Sequence, residues 1–215
     1  MPLLVMDARP ASAPIARPSL QPWLWTGFLA LVMALPVLRS GLTAPGPLPP
    51  VLGTVPDFRL VDQSGAPFDP ARLVGRVWIA DFVFTRCPDV CPRMTERLVG
   101  VQRTLGDRVD LVSVSVDPTY DSPDRLLAFA RAHGADSPRW HFLTGDSRQI
   151  QGTVLRGFRV AFQRDSDDVA TLTHGVHVVL VDGRGRIRGF YDSGDPEALE
   201  RLVADARWLA DRPGA

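Results

Sequence analysis

Apolar and polar positions alternate between two periods along the chain. Val77-Trp78-Ile79-Ala80 with Phe82-Val83-Phe84 forms an apolar, β-branched and aromatic run that reads as a buried strand. Directly after it, Met94, Leu98, Val101 and Leu105 recur at steps of four, three and four, which makes one apolar stripe on an α-helix. A second strand is expected at Leu111 to Val116, ending at Asp117-Pro118. Ser122-Pro123 then supplies an N-cap and first turn for a helix that runs to His133 and stops at Gly134. Trp140-His141-Phe142-Leu143 reads as a short strand with His141 toward solvent, and a helix follows from Ser147 to Phe158. Val176 to Val181 is continuously apolar except for His177, so both faces of that strand should be covered. Asp182-Gly183-Arg184-Gly185 turns it into a strand at Ile187 to Tyr191. Asp195-Pro196 opens a last helix with Leu199, Leu202, Val203, Ala206 and Leu209 inward. Ahead of all this, Asp57 to Asp62 alternates as a strand and Gln63-Ser64-Gly65 turns it toward Phe68. Gln163 to Asp168 is polar and reads as an exposed loop. Strands alternating with helices, closed by a hairpin and a helix, predict a three-layer α/β domain.

The pattern changes character before residue 56. Residues 1–21 are rich in Pro, Ala and Ser, have little periodicity and read as a disordered tail. Residues 22–38 carry no charge, include Trp23 and Trp25 as interfacial anchors, and approach the lower length limit of a spanning helix. They are expected to be a transmembrane anchor. A cleaved signal peptide is the competing reading, but the basic region is long and Ala44 is followed by Pro45. Arg9 and Arg17 tip the tail toward the cytoplasm, although Arg39 lies beyond the span. Residues 39–55 read as a Pro-rich linker, and residues 56–212 as the folded domain.

Composition narrows the function. The formal net charge is zero, and all 24 basic residues are arginine, with no lysine. A neutral chain gives no electrostatic case for nucleic acid or for an anionic membrane patch. The only two cysteines, Cys87 and Cys91, sit where the first strand meets the striped helix. Pro92 suits the first helical position. The free N–H groups and positive dipole end there favour a thiolate. A structural staple is the plain alternative, but a bridge between these two would close a very short loop and remove little chain entropy. A dithiol at a strand–helix junction points to redox or soft-metal chemistry. The Cys-x-x-x-Cys spacing is one residue longer than the usual redox motif.

The run Asp81-Phe82-Val83-Phe84-Thr85-Arg86-Cys87-Pro88-Asp89-Val90-Cys91-Pro92 resembles the signature of the SCO/SenC family, and the similarity extends from about Pro56 to about Tyr191. The resemblance implies a thioredoxin-like domain behind an N-terminal transmembrane helix. It implies a copper protein that helps assemble the dinuclear copper site of cytochrome c oxidase. Copper, as Cu(I) or Cu(II), would be held by the thiolates of Cys87 and Cys91 and by His174, which stands at the family's histidine position; Thr173 precedes it where the family usually has an acid. Soft thiolates suit Cu(I), and an imidazole extends the site to Cu(II). Of the other histidines, His133 reads as a helix-end residue, and His177 should face away from His174 if both are extended. Asp117 matches the acid of the family's Asp-Pro motif. It is either an orienting carboxylate beside the site or a loop cap before Pro118. Asp81 is either a buried acid under the dithiol or an edge carboxylate. The expected partners are the copper-site subunit of the oxidase, other copper chaperones or thiol reductases, and the membrane, with no nucleic acid. The expected location is the inner membrane, single-pass, with the domain on the extracytoplasmic side. A metallochaperone is not an enzyme in the ordinary sense. The rivals are a thiol–disulfide reductase that keeps the oxidase cysteines reduced, using Cys87 and Cys91 alone, and a redox sensor.

Overall fold

The computed structural model describes residues 29, 31–32, 49–135, 138–158, 163–164, 172–173 and 177–212. The chain divides into two units, Met1–Gly46 and Pro47–Ala215. In the first, Leu29, Leu31 and Val32 are helical and exposed. Among the described residues no helix is long and apolar enough to cross a membrane. The remainder of the expected tail and anchor lies outside the described residues.

The second unit is built on a six-stranded sheet. Its strands, with the short hairpins numbered in chain order, are β1 (Gly53–Thr54), β2 (Leu60–Val61), β3 (Pro67–Phe68), β4 (Val77–Val83), β5 (Val109–Ser115), β6 (Trp140–Leu143), β7 (Gln163–Arg164), β8 (Leu172–Thr173), β9 (His177–Val181) and β10 (Arg186–Asp192). The main sheet runs β1-β10-β9-β4-β5-β6, with β4, β5 and β6 parallel and the other pairings antiparallel. All seven residues of β4 and all seven of β5 are buried, as strands covered on both faces require.

Alternation along β4 sorts the two layers. Ile79, Asp81 and Val83 share a face with Leu111, Ser113, Trp140 and Phe142. Three helices pack there: α1 (Val90–Leu105), α2 (Pro123–Ala132) and α4 (Pro196–Ala210). The predicted stripe is the reason α1 docks: Met94, Leu98, Val101 and Leu105 are all buried. Ser122 caps α2 by accepting from the Arg125 N–H, and Asp195 caps α4 by accepting from the Glu197 N–H. Trp78 and Phe82 point the other way and meet the Phe158 ring edge-on at 6.1 and 5.2 Å. That opposite face is covered by the β2–β3 hairpin and by α3 (Ser147–Gln151), which continues as a π-helical turn over Gly152–Gly157. The result is the mixed α/β domain with a central sheet that the pattern implies.

Several expectations shift. The strand expected at Asp57 to Asp62 shrinks to Leu60–Val61, because only those residues find partners in Pro67–Phe68. Gln163–Arg164, read as loop, pairs antiparallel with Leu172–Thr173. Residues 49–55, read as the end of the spacer, lie on the domain: Gly53 and Thr54 pair with β10.

A bulge explains that docking. Register shifts between Ile187 and Gly189, and the intervening Arg188 is 1 % exposed. Its guanidinium donates to the Pro49 carbonyl at 2.9 Å and pairs with the buried Asp182 carboxylate at 2.9 Å. Arg188→Met removes both and leaves Asp182 with Arg186 as its remaining cation. We expect a loss of about 3 kcal/mol in urea unfolding. A loss below ~1 kcal/mol would show that the pair is not structural.

Candidate metal centre

β4 delivers the chain to a tight loop, where the Cys87 N–H bonds the Phe84 carbonyl at 3.1 Å. α1 then begins at Val90 with Asp89 as N-cap, so Pro92 is the third helical residue and not the first. The Asp89 side chain makes no cap bond; it pairs with Arg93 one turn on. The capping is done by sulfur: the Cys91 N–H donates to Cys87 Sγ at 3.3 Å. Both cysteines are buried, and neither is in a disulfide. The helix start therefore serves Cys87, where a thiolate gains an N–H donor. Cys91 behaves the opposite way. Its hydrogen bond to the Cys87 side chain, reinforced by burial, pushes its thiol well above the ordinary range. The thiolate expected at Cys91 from the helix dipole alone is overridden by the neighbouring sulfur and by desolvation.

Two carboxylates brace this loop from the turn that follows β5. Asp121, fully buried, accepts from Thr85 Oγ1 at 2.6 Å, from the Thr85 N–H at 3.2 Å and from Ser115 Oγ at 2.6 Å. Burial pushes its carboxyl upward. Asp117 takes Arg86, the residue before Cys87, through Arg86 Nε at 3.1 Å and a second bond from Nη2. The Tyr120 ring lies 4.3 Å from the Arg86 guanidinium carbon and 3.9 Å from that of Arg125. Asp117 thus contacts the site through Arg86. It also accepts from Thr119 Oγ1 at 3.2 Å, so a loop role accompanies the orienting one. The Asp121–Thr85–Ser115 set was missed in the sequence. Its signal was Ser113 and Ser115 alternating inside an apolar strand with an acid six residues on.

Asp81 is a buried acid and not an edge carboxylate. It shares its sheet face with α1, accepts from Ser113 Oγ at 2.7 Å, and Ser113 in turn accepts from Trp140 Nε1 at 2.8 Å. Its Oδ2 has no hydrogen-bond partner among the described residues. Desolvation, against the Ser113 bond, pushes its pKa up to about 7.

The histidines separate by position. His133 caps α2, with Nδ1 3.5 Å from Glu96 and its ring 4.6 Å from Phe129. His141 does not face open solvent: its ring sits 4.8 Å from Phe68, and burial lowers its pKa. His177 starts β9 in register beyond the Val179–Ala80 pair, on the Phe82 side of the sheet and away from α1. His174 lies outside the described residues, directly after β8. Among the described residues no group of three His, Cys, Asp or Glu could hold a metal. The two contacting thiols are nonetheless a donor set of the right softness for Cu(I).

A family model described as SCO1/SenC matches residues 50–211, which include the dithiol loop, both bracing acids and His174. The chain belongs to the SCO1/SenC family. The SCO1 protein homolog of Bacillus subtilis (strain 168) is 29% identical over 157 residues, covering 71% of this chain and 81% of that protein. BsSco, a member of the Sco family of cytochrome c oxidase assembly proteins in which a disulfide switch was identified, aligns with a TM-score of 0.69 at 28% identity, over 77% of this chain and 98% of BsSco. Bradyrhizobium japonicum ScoI, solved with copper bound, aligns with a TM-score of 0.62 at 26% identity, over 73% of this chain and 99% of ScoI. The sheet and helices described above are thus those of the Sco thioredoxin-like domain.

Asp81 gives this SCO1/SenC domain a pH signature. Its folded pKa of about 7 lies above the ordinary carboxylate value of 3.8, so the folded state holds the proton more tightly. That contribution is full below the unfolded value, declines as pH rises, and is gone above about 7. In the reduced, metal-free protein, Asp81→Asn should gain on the parent by about 2–3 kcal/mol between pH 5 and pH 8 in urea unfolding. An identical difference at both pH values would mean that Asp81 titrates normally.

Proposed function

We propose that this chain binds copper as cargo and supports assembly of the dinuclear copper site of cytochrome c oxidase. The ligands are the thiolates of Cys87 and Cys91 and the imidazole of His174. The observation that carries this reading is the pair of buried sulfurs in contact at the start of α1, one of them bonded by a helix N–H. Soft sulfur donors in a water-poor loop suit Cu(I), and a histidine supplied from the segment after β8 completes a trigonal set. His177 supports this by exclusion, since it starts β9 on the far side of the sheet. Asp117 orients the loop through Arg86. Residues 22–38 tether the domain to the inner membrane, with residues 40–215 on the extracytoplasmic side. A reporter fused at Gly41 reads that topology, and a mature N-terminus near residue 45 would refute the tether.

A second reading, thiol–disulfide reductase, draws on the inequality of the two sulfurs. Cys87, which accepts the helix N–H, is the attacking sulfur, and Cys91, whose thiol is pushed upward by the Cys87 bond and by burial, is the resolving one. In that reaction Cys87 attacks a client disulfide and Cys91 then displaces the client thiol. Two electrons pass to the client, and a Cys87–Cys91 disulfide remains.

Two results test the assignment. Cys87→Ser or Cys91→Ser should abolish tight Cu(I) binding, because a hydroxyl is a poor ligand for a soft ion. His174→Ala should weaken Cu(II) more than Cu(I), and His177→Ala should change neither. The reverse order for the two histidines would displace His174 from the site. In cells with copper limiting, His174→Ala should fail to assemble the oxidase copper site although its dithiol still cycles. Normal assembly in that mutant would favour the reductase.

A further inference from the structure

At the end of the domain opposite the dithiol, a cleft of about 360 Å³ opens between the start of β4, the β9–β10 turn and the end of α4. The seven residues of β4 separate it from Val83 by roughly 20 Å of strand. Its floor is a contact of two turns. The Gly75 N–H donates to the Gly183 carbonyl at 2.8 Å, and a Cβ on Gly183 would stand 2.8 Å from the Gly75 carbonyl carbon. Both turns are therefore confined to glycine at the point where the walls diverge. Gly75 also has φ +82, where L side chains are strained.

The charged residues lining the cleft are Arg76, Arg108, Arg184 and Arg212 against one acid, Asp182. That acid is already satisfied. It pairs with Arg186 and Arg188 and accepts from the backbone N–H groups of Arg184 and Arg186. Arg76 is held by Asp110 and the Asp107 carbonyl, and Arg108 by Asp211. Arg184 and Arg212 have no ion-pair partner among the described residues. Arg212 lies 4.2 Å over the Trp208 ring and donates from Nη1 to the Trp208 carbonyl at 3.4 Å, which fixes its plane and leaves Nε and Nη2 for a ligand. Val74, 75% exposed, adds an apolar rim. The cleft therefore holds two fixed guanidiniums, two unpaired ones and a neutralised acid around a glycine floor. Planar guanidinium edges match the oxygens of a phosphate group.

We propose that this cleft binds a phosphate group, presented either by free phosphate or by the headgroup of an anionic phospholipid. Arg184 and Arg212 supply its free charge. The proposal is independent of the copper site, which lies at the other end of β4.

The test uses the full chain in a non-ionic detergent, followed by calorimetry. It is titrated with inorganic phosphate, and separately with dihexanoyl phosphatidylglycerol below its micelle concentration, with dihexanoyl phosphatidylcholine as the neutral control. Saturable binding of phosphate assigns the site to the free anion. Saturation by phosphatidylglycerol without phosphate assigns it to a lipid headgroup. In either case the Gly75 and Gly183 amide resonances should shift while that of Cys87 stays still. Arg184→Ser/Arg212→Ser should weaken binding by roughly tenfold or more. The exposed pair Arg59→Ser/Arg148→Ser should bind like the parent, and copper loading should be unchanged in both. No saturable binding of either probe overturns the proposal, as does undiminished binding by the Arg184/Arg212 variant.

Discussion

The dithiol loop is held by carboxylates anchored at the end of a parallel strand. Asp121 takes both polar groups of Thr85 and the Ser115 hydroxyl, while Asp117 takes the Arg86 guanidinium. A buried carboxylate is expensive unless its lone pairs are filled, so these bonds form together or the loop is wrong. Once they form, the position of Cys87 follows from two covalent steps, and the start of α1 is presented to its sulfur. The parallel β4–β5 pairing is what brings strand end and loop into reach.

Two cysteines four residues apart could have been equivalent, but the fold makes them different. Cys87 receives the helix N–H; Cys91 is pressed into the layer between α1 and the sheet face that carries Asp81. A metal ion of the right softness, or a disulfide, would each cancel that inequality, because each bonds both sulfurs. The same geometry therefore suits either the proposed metal capture or the alternative electron transfer, and only the first of these readings calls on the imidazole of His174.

Much of this was legible. The β4 run and the α1 stripe were readable because full burial leaves an uninterrupted apolar signature and one-sided burial leaves a period near 3.6. The cysteine pair was readable because the chain has no other cysteines. Less legible was the thiol chemistry: helix-terminus reasoning predicted a thiolate at Cys91 without knowing that the Cys87 sulfur would occupy its N–H. The solvent-facing position expected of His141 failed because the β2–β3 hairpin covers that face of the sheet and puts Phe68 against the ring. Net charge was least informative of all. A sum of zero hides the separation of arginines into one cleft, because their partner acids are spent on buried pairs.

The bracing acids lie far along the chain from what they brace. Thr85 and Asp121 are 36 positions apart, with a whole helix and strand between them. A ribosome therefore releases both cysteines well before the residues that will restrain them. During that interval the loop lacks both carboxylates that hold Thr85 and Arg86. The restraint on the dithiol loop is thus completed late in synthesis. Any factor that guards these thiols early must recognise an extended peptide and not the finished loop.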